Sequence, residues 1–176
     1  MRAISMPRLS LLAGLVLLGG LSAPHMARAD DPQLLGKHGA WSAYTLEEDG
    51  KKVCYMVSRP IKDEGKYAKR GDIFALITHR PAENTRDVFS YMTGYKYKPG
   101  SDVTVSIDTT DFSLFTNDET AWAPDPATDT RIAAGIQKGS KMVVKGTSSR
   151  GTLTTDTFSL KGSGAAYEAI SKACGV

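Results

Sequence analysis

The two cysteines of the chain, Cys54 and Cys174, constrain its fold more than any other pair of residues. A disulfide between them closes a loop of about 120 residues, which is most of the chain after its N-terminal segment. In an exported protein, an even pair of cysteines is most simply explained by one disulfide. The chain-entropy model gives such a loop roughly 4–5 kcal/mol of stabilisation, less any strain. A redox-active or metal-binding thiol is the alternative, although neither cysteine belongs to a Cys-x-x-Cys motif.

The first 29 residues have the pattern of a secretory signal peptide. Arg2 and Arg8 supply a positive start, and Leu9–Leu21 forms an apolar core of 13 residues, too short for an ordinary membrane span. Ala27–Ala29 reads Ala-Arg-Ala, a small-x-small cleavage site. We therefore predict cleavage after residue 29 and export to the periplasm, with outer-membrane association or secretion as further destinations. An uncleaved N-terminal anchor is the alternative.

Removal of this segment changes the charge balance. The full chain has 22 Lys and Arg against 19 Asp and Glu, and three of the arginines lie within the first 29 residues. Residues 30–176 therefore carry 19 side chains of each sign, in a length of 147 residues that suits one domain with a real core. A neutral domain gives no support for nucleic-acid binding, which favours a net basic surface.

The body of the chain is dominated by strand patterns. The apolar run Ile73–Ile77 predicts a strand buried on both faces, and Lys52–Ser58 predicts an interior strand that follows an Asp49-Gly50 hairpin turn. Val103–Ile107 alternates apolar and polar residues, as a half-buried strand does. Asp30–Lys37 is predicted to be a loose arm, and Arg59–Arg70 a long connection rich in lysine.

Two segments read as helices. Asp125 before Pro126 is a typical helix start, and Lys138-Gly139 a typical end, so we predict a short helix near 126–138 with a left-handed cap at Gly139. A C-terminal helix is predicted to follow Ser163 as its cap and to place Cys174 on its apolar face. The predicted fold is all-β and mainly antiparallel, a β-sandwich with these two helices. Partial closure into a barrel is the alternative.

Several sequence runs resemble the bacterial invasion-associated locus B (IalB) family. The resemblance extends over almost the whole region after the predicted signal peptide, in the runs Trp41–Tyr44, Cys54–Val57, Arg70–Pro81, Val88–Tyr91, Thr120–Pro124, Met142–Thr147 and Ala169–Cys174. It implies an immunoglobulin-like β-sandwich and an exported protein of the Gram-negative envelope. Members of the family are associated with virulence through host-cell entry. The family has no established enzymatic activity, so the resemblance supplies no catalytic residues, and a role in invasion does not follow from membership alone.

Charges are unevenly distributed along this neutral domain. Lys62, Lys66, Lys69 and Arg70 are the basic residues of Lys51–Arg70 that we consider candidates for binding lipid phosphates or an acidic partner. The segment 108–129 is acidic and has no Lys or Arg before residue 129, so it is a candidate for a cation or a basic partner. Two solvated loop regions, facing each other or not, are the alternative.

Aromatic residues and one tripeptide complete the candidate binding residues. Tyr95 and Tyr97, flanked by lysines, are predicted to be exposed and to contact a partner, whereas Trp122 is expected to cover the core. Arg70-Gly71-Asp72 spells an integrin-type recognition motif, but it abuts the apolar run and can equally be the start of a strand.

No pattern for catalysis, metal binding or cofactor binding stands out. His38 and His79 are the only histidines after residue 29, they are far apart, and no phosphate-binding glycine loop is present. We therefore predict a non-enzymatic envelope protein that binds another macromolecule, without cofactor or metal. A periplasmic chaperone or stress factor with an open sheet edge, and a hydrolase with a cryptic site at a histidine, are the alternatives.

Overall fold

The structure is a computed structural model that describes residues 31–176. The predicted signal peptide therefore lies outside the described residues. The strands are β1 (Gln33–His38), β2 (Trp41–Glu48), β3 (Lys51–Ser58), β4 (Lys62–Gly65), β5 (Phe74–Arg80), β6 (Thr85–Met92), β7 (Val103–Ile107), β8 (Thr110–Asn117), β9 (Thr120–Trp122), β10 (Lys141–Thr147) and β11 (Leu153–Ser159). A 3₁₀ turn, Pro81–Glu83, joins β5 to β6, and the two helices are α1 (Pro126–Lys138) and α2 (Ser163–Cys174).

All strand pairs are antiparallel, and the strand order is β1-β2-β3-β5-β6-β9-β8-β7-β10-β11-β4. Strand β8 joins two layers, because Thr110–Leu114 pairs with β7 and Phe115–Asn117 pairs with β9. The first layer runs from β1 to β9 and the second from β8 to β4. This mainly antiparallel sandwich with two helices confirms the predicted fold class.

The core lies between the two layers and under the helices. The rings of Tyr91 in β6 and Phe158 in β11 meet edge to face, with centroids 6.2 Å apart. At one corner of the sandwich, the fully buried Trp41 donates from Nε1 to the carbonyl of Ser159, 3.1 Å away. Burial of these aromatic side chains, together with the other apolar core residues of both layers, stabilises the packing of the two layers.

Helix α1 begins and ends where the sequence predicts. Asp125 accepts a hydrogen bond from the backbone N–H of Thr128 at 2.8 Å, and Pro126 occupies the first turn. The prediction of a left-handed cap at Gly139 is wrong, because its φ is −77°. A Cβ there would lie 2.8 Å from the carbonyl oxygen of Gly135, so close approach to the last turn accounts for the glycine.

Helix α2 is capped differently from the prediction. Gly162, with φ +88°, precedes the helix, and Ser163 is already its first residue. The buried Ser163 hydroxyl lies 2.6 Å from the carbonyl oxygen of Ile136 and 2.8 Å from that of Leu160, and its one hydrogen serves these two acceptors. It therefore ties α2 to the end of α1 instead of capping its own helix.

The predicted disulfide is present. Cys54 in β3 and Cys174 at the end of α2 are bonded, with their Cα atoms 6.0 Å apart. The bond fastens the C-terminal helix onto the inner side of the first layer, where Lys52 Nζ also donates to the carbonyl of Ala173. The predicted disulfide, and the prediction that Cys174 lies on the packed face of the C-terminal helix, are thereby confirmed.

Three strand predictions need correction. Residues 33–37 of the predicted loose arm belong to β1, and residues 62–65 of the predicted connection form β4, because pairing with β2 and β11 supplies their backbone hydrogen bonds. In β5, Ala75 and Ile77 are fully buried but Phe74 and Leu76 are only half-buried. The strand is therefore covered on one face, not two.

Strands β1 and β4 form the two edges of the strand order. Each pairs with one neighbour among the described residues. β4 is short and fully exposed, with the sequence Lys-Asp-Glu-Gly, and β1 carries a bulge between Leu34 and Gly36. Charge and bulges are common protections of edge strands against pairing with other chains. The chaperone alternative, which requires an open edge, stays a prediction.

Candidate functional site

A cleft of about 470 Å³ opens where the β4–β5 loop, the loop after β6 and the β10–β11 turn meet. We call it the basic cleft, because four of its lining residues are cationic and none is a carboxylic acid. The lining residues are Lys66, Tyr67, Ala68, Lys69, Gly71, Gly94, Tyr95, Lys96, Ser148, Ser149, Arg150, Thr152 and Thr154.

A buried ion pair lies beneath the basic cleft. Arg70 donates from Nη1 and Nη2 to the two carboxylate oxygens of Asp156, at 2.7 and 2.6 Å. Arg70 also donates from Nε to the carbonyl of Thr93 at 2.7 Å, and the Tyr91 hydroxyl donates to Asp156. The side chains of Arg70 and Asp156 are 3% and 0% exposed. A bidentate pair of this kind is strong and directional, and it connects the β4–β5 loop to β11.

The surroundings of this pair keep the guanidinium charged. Burial is the largest single influence on Arg70 and lowers its pKa, but the hydrogen bonds that Arg70 donates to Asp156, together with the nearby Asp156 and Tyr91 charges, outweigh burial and hold the pKa above its ordinary value. The guanidinium carbon lies 5.4 Å from the ring centroid of Tyr67 and 5.0 Å from that of Tyr95. Burial, with the Asp156 charge as a second cause, raises the pKa of Tyr91. The Asp156 carboxylate is therefore paired with the Arg70 guanidinium below the cleft.

Two glycines let the loops beside the cleft approach closely. The backbone N–H of Gly71 donates to the carbonyl of Gly94 at 2.9 Å. Gly94 has φ +72°, and a Cβ on it would lie 2.5 Å from the carbonyl oxygen of Gly71. A side chain at this position would push the β4–β5 loop away from the loop that carries Tyr95.

The cations of the cleft differ in how they are paired. Lys96 forms an exposed ion pair with Asp118 at 3.1 Å. Lys66, Lys69 and Arg150 are exposed and form no ion pair with another residue in 31–176. Their charges are therefore available to an anion in solution. Hydroxyl groups of Ser149, Thr152 and Tyr67 add hydrogen-bonding capacity, although the Tyr67 hydroxyl already donates to Asp63.

The candidate binding residues predicted from the sequence have different locations and exposures in the structure. Lys66, Lys69 and Tyr95 line the cleft, and Arg70 lies beneath it. Lys62 is exposed on β4, where it pairs with Glu64 at 2.9 Å. The expected exposure of Tyr97 is wrong: it is 5% exposed, because its ring packs against Tyr95 and it bridges to Ser148. The Tyr95 hydroxyl is likewise engaged, 2.6 Å from the Thr154 hydroxyl.

The Arg70-Gly71-Asp72 tripeptide does not have the form of a recognition loop. Its arginine side chain is buried against Asp156, while Asp72 is exposed and pairs with Arg59 at 2.9 Å. The two charged side chains point to different partners within the domain. Arg70 therefore cannot contact a partner directly, which corrects its prediction as an exposed binding residue.

The acidic segment 108–129 is largely occupied by structural contacts. Asp108 accepts hydrogen bonds from the backbone N–H groups of Ser140 and Lys141, and Asp125 caps α1. Asp129 accepts from the backbone N–H of Phe89 at 2.8 Å. Among the described residues, no group of three or more possible metal ligands occurs. These carboxylates thus have local structural roles as acceptors for backbone N–H groups.

A family model described as the invasion associated locus B (IalB) protein matches residues 41–171. The chain belongs to the IalB family. The match covers β2 through most of α2, and at a coarse level it supports an invasion-associated envelope protein. The chain significantly matches no curated protein and no solved structure. Neither of the helices within 31–176 is long and apolar enough to cross a membrane.

His79 of this IalB-family chain is one of the two histidines at which the hydrolase alternative would place its site. It is fully buried, and its Nδ1 accepts a hydrogen bond from the backbone N–H of Asp87 at 3.0 Å. The proton of the neutral ring must then sit on Nε2, which donates to the Ser171 hydroxyl 3.2 Å away. A general base would have to accept the serine proton at that nitrogen, so the pair has the wrong tautomer for catalysis. Burial also lowers the pKa of His79.

The second histidine, unlike His79, has no hydroxyl or other hydrogen-bonding group beside its Nε2 atom among the described residues. The Nε2 atom of His38 is buried and has no hydrogen-bond partner among residues 31–176. Its ring packs over Gly36, where a Cβ would lie 2.8 Å from Nε2. Neither imidazole therefore provides the arrangement that the hydrolase alternative requires.

Sequence reasoning missed the far side of the basic cleft. Arg150 and its neighbours Ser148 and Ser149 lie in the β10–β11 turn, which the sequence marks only as a polar turn. They face the β4–β5 loop because β4 pairs with β11, a contact between segments some 90 residues apart. The one usable sequence signal was the arginine in a turn without a neighbouring acid.

Proposed function

We propose that this protein is a non-enzymatic binding protein of the cell envelope, exported to the periplasm, whose basic cleft holds an anionic group of a macromolecular partner. The observation that carries the proposal is the set of three cations, Lys66, Lys69 and Arg150, that surround one cleft without a carboxylate partner. The region after the predicted signal peptide is neutral as a whole, so this local excess is not a consequence of a basic composition.

The chemistry of the lining narrows the class of ligand. Lysine and arginine side chains bind phosphate, sulfate and carboxylate groups through charge-assisted hydrogen bonds. Hydroxyls such as those of Ser149 and Thr152 can donate to further oxygen atoms, and the ring of Tyr67 gives an apolar wall. Phosphorylated or acidic saccharides and lipid headgroups of the envelope carry such groups together, and they are the ligand sources that the proposal names.

Calorimetric titration of residues 30–176 with pyrophosphate and with a sulfated polysaccharide tests the proposal. We expect binding that weakens as ionic strength rises, since exposed charges are screened within about 10 Å at 0.1 M salt. The double substitution Lys69→Ala/Arg150→Ala should weaken binding at least tenfold, which corresponds to about 1.4 kcal/mol. Neutral dextran should not bind.

A matched control has the same loss of charge elsewhere. Lys138→Ala/Lys172→Ala removes two exposed cations from α1 and α2 and should leave the affinity for both probes unchanged. Equal weakening by both double variants would mean that only net charge matters, and the cleft would then have no specific role. Absence of binding to either anionic probe at low salt would contradict the proposal outright.

A further inference from the structure

The first sheet layer has an outer face that is largely open among residues 31–176, apart from the end around Val53, which is buried. Side chains alternate between the two faces of a strand, and the inward ones, such as Met56, Ala75 and Tyr91, belong to the core. Helix α2 packs on this inner side, where Cys54 and His79 meet it. Most outward side chains of the same strands are half-buried or exposed. Val53 and Ser90, at 2% and 8% exposed, are buried exceptions, and like the others they lie outside the core cluster.

The strand registers place these outward side chains in a continuous row. Val57 pairs with Leu76, Leu76 with Ser90, and Ser90 with Trp122. Trp122 in turn pairs with Phe115. The row therefore crosses β3, β5, β6, β9 and β8 without a charged residue, and we call it the central row.

Apolar side chains flank the central row on both sides. On one side the rings of Tyr44 and Tyr55 stack with centroids 5.2 Å apart, and on the other Phe74 pairs with Met92. Phe115 is 48% exposed and Met92 is 41% exposed. The outer face, meaning the central row together with these four residues, is thus a broad apolar surface in contact with solvent.

The size of the outer face suits a protein interface. Four to five inter-strand spacings of about 4.8 Å and about five residues along each strand give roughly 400 Å² in projection, and more in accessible area. Large patches on ordinary monomers measure about 300–600 Å², and specific interfaces take up at least about 600 Å² per partner. The projected estimate lies within the range of large monomer patches, and its larger accessible area reaches at most the lower end of the interface range, which suits a weak association.

The charges at the rim of the outer face are balanced. Arg59 lies 4.4 Å above the Phe74 ring and pairs with Asp72, and Arg80 pairs with Glu48 beyond the other end of the face. A face that inserts into an anionic membrane would carry surplus cations at its rim. Here each end carries both signs, so a two-fold rotation can bring cations of one copy to carboxylates of the other.

We propose that the outer face is the interface of a homodimer, in which the first layers of two copies pack face to face. Antiparallel sheets pack in this way about 10 Å apart, and a two-fold axis through the central row places Trp122 and Leu76 of both copies at the centre. The interface is separate from the basic cleft, so the proposal does not depend on the proposed function.

Sedimentation velocity of residues 30–176 from about 1 to 200 µM tests the dimer over the concentration range in which a weak association is populated. We expect the sedimentation coefficient to rise from that of a monomer to that of a dimer over this range. Phe115→Glu should weaken association at least tenfold. Tryptophan emission should shift to the blue with concentration, because Trp122 is half-buried in the monomer while Trp41 is already 1% exposed.

Ile61→Glu is the matched control, because Ile61 is 67% exposed and lies outside the outer face. It should dimerise as the unaltered protein does. Should Phe115→Glu prove unfolded by circular dichroism, Met92→Glu replaces it. A monomer throughout the concentration range overturns the proposal, as does a dimer that Phe115→Glu and Met92→Glu leave intact. A protein that stays monomeric in solution but binds phosphatidylcholine vesicles would also overturn the dimer proposal. The outer face would then be a lipid-binding surface.

Discussion

The buried ion pair beneath the basic cleft makes the stability of the domain depend on one arginine, Arg70. Arg70→Met keeps most of the aliphatic stem but removes all hydrogen bonds that Arg70 donates to Asp156, Thr93 and Tyr91. Asp156 would then be a fully buried carboxylate with the Tyr91 hydroxyl as its remaining partner among these residues. We expect this single substitution to destabilise the protein strongly.

The magnitude follows from the burial of both side chains. Removal of one partner of a buried pair typically costs about 3–5 kcal/mol, because an uncompensated charge stays behind. For a domain of this size, each kcal/mol lowers the melting temperature by about 2–4 °C, so Arg70→Met should melt about 10 °C lower. Replacement of both partners, in Arg70→Met/Asp156→Leu, should recover most of the loss, because no buried charge remains.

Urea denaturation of the four members of this double-mutant cycle, with the disulfide intact, measures the coupling between the two residues. We expect a coupling free energy of at least about 2 kcal/mol. A loss below about 1 kcal/mol in Arg70→Met would show that the pair is solvated in solution. A double variant no more stable than the single ones would refute the reasoning from an uncompensated buried charge.

Two further predictions concern the disulfide and one buried carboxylate. Cys54→Ser/Cys174→Ser should lower the free energy of unfolding in urea by up to about 4–5 kcal/mol, and equal stability of the oxidised and reduced protein would contradict this. Burial, with nearby acidic charges, raises the pKa of Asp129 to about 6 from 3.8. Its neutral form is therefore favoured in the folded state, and the stability it contributes below pH 4 is lost as pH rises through about 6. Relative to the unaltered protein, Asp129→Asn should be equally stable near pH 4 and more stable, on the order of 2 kcal/mol, above pH 7. The lowered pKa of His79 makes stability rise with pH, but it does so equally in both proteins. The difference between their melting temperatures from pH 4 to 8 therefore reports on Asp129 alone. A difference that does not change with pH would contradict the raised pKa of Asp129.

Local signals in the sequence predicted the elements that depend on few residues. Asp125 and Pro126 define the start of α1 because capping and a fixed φ act within one turn. The Asp49-Gly50 hairpin was equally predictable, since both residues adopt positive φ, 51° and 73°, as the tight turn between β2 and β3 requires. The pairing of the two cysteines followed from their number and the predicted export.

Features that depend on distant partners were not predictable in the same way. Arg70 looks like the last residue of an exposed basic segment, and only its contact with Asp156, 86 residues later, accounts for its burial. β4 has no apolar alternation at all, because its strand conformation comes from pairing with β11. The basic cleft depends on the same pairing, so the sequence alone could not predict that its two sides lie next to each other.

Mapping of amide chemical shifts during a titration with pyrophosphate is the most direct test of the basic cleft as the binding site. We predict that shifts concentrate in residues 66–71, 94–96 and 148–154, which surround the cleft, and that they diminish in Lys69→Ala/Arg150→Ala. Saturable shifts confined to other surfaces, such as the ends of α1 and α2, would contradict the account.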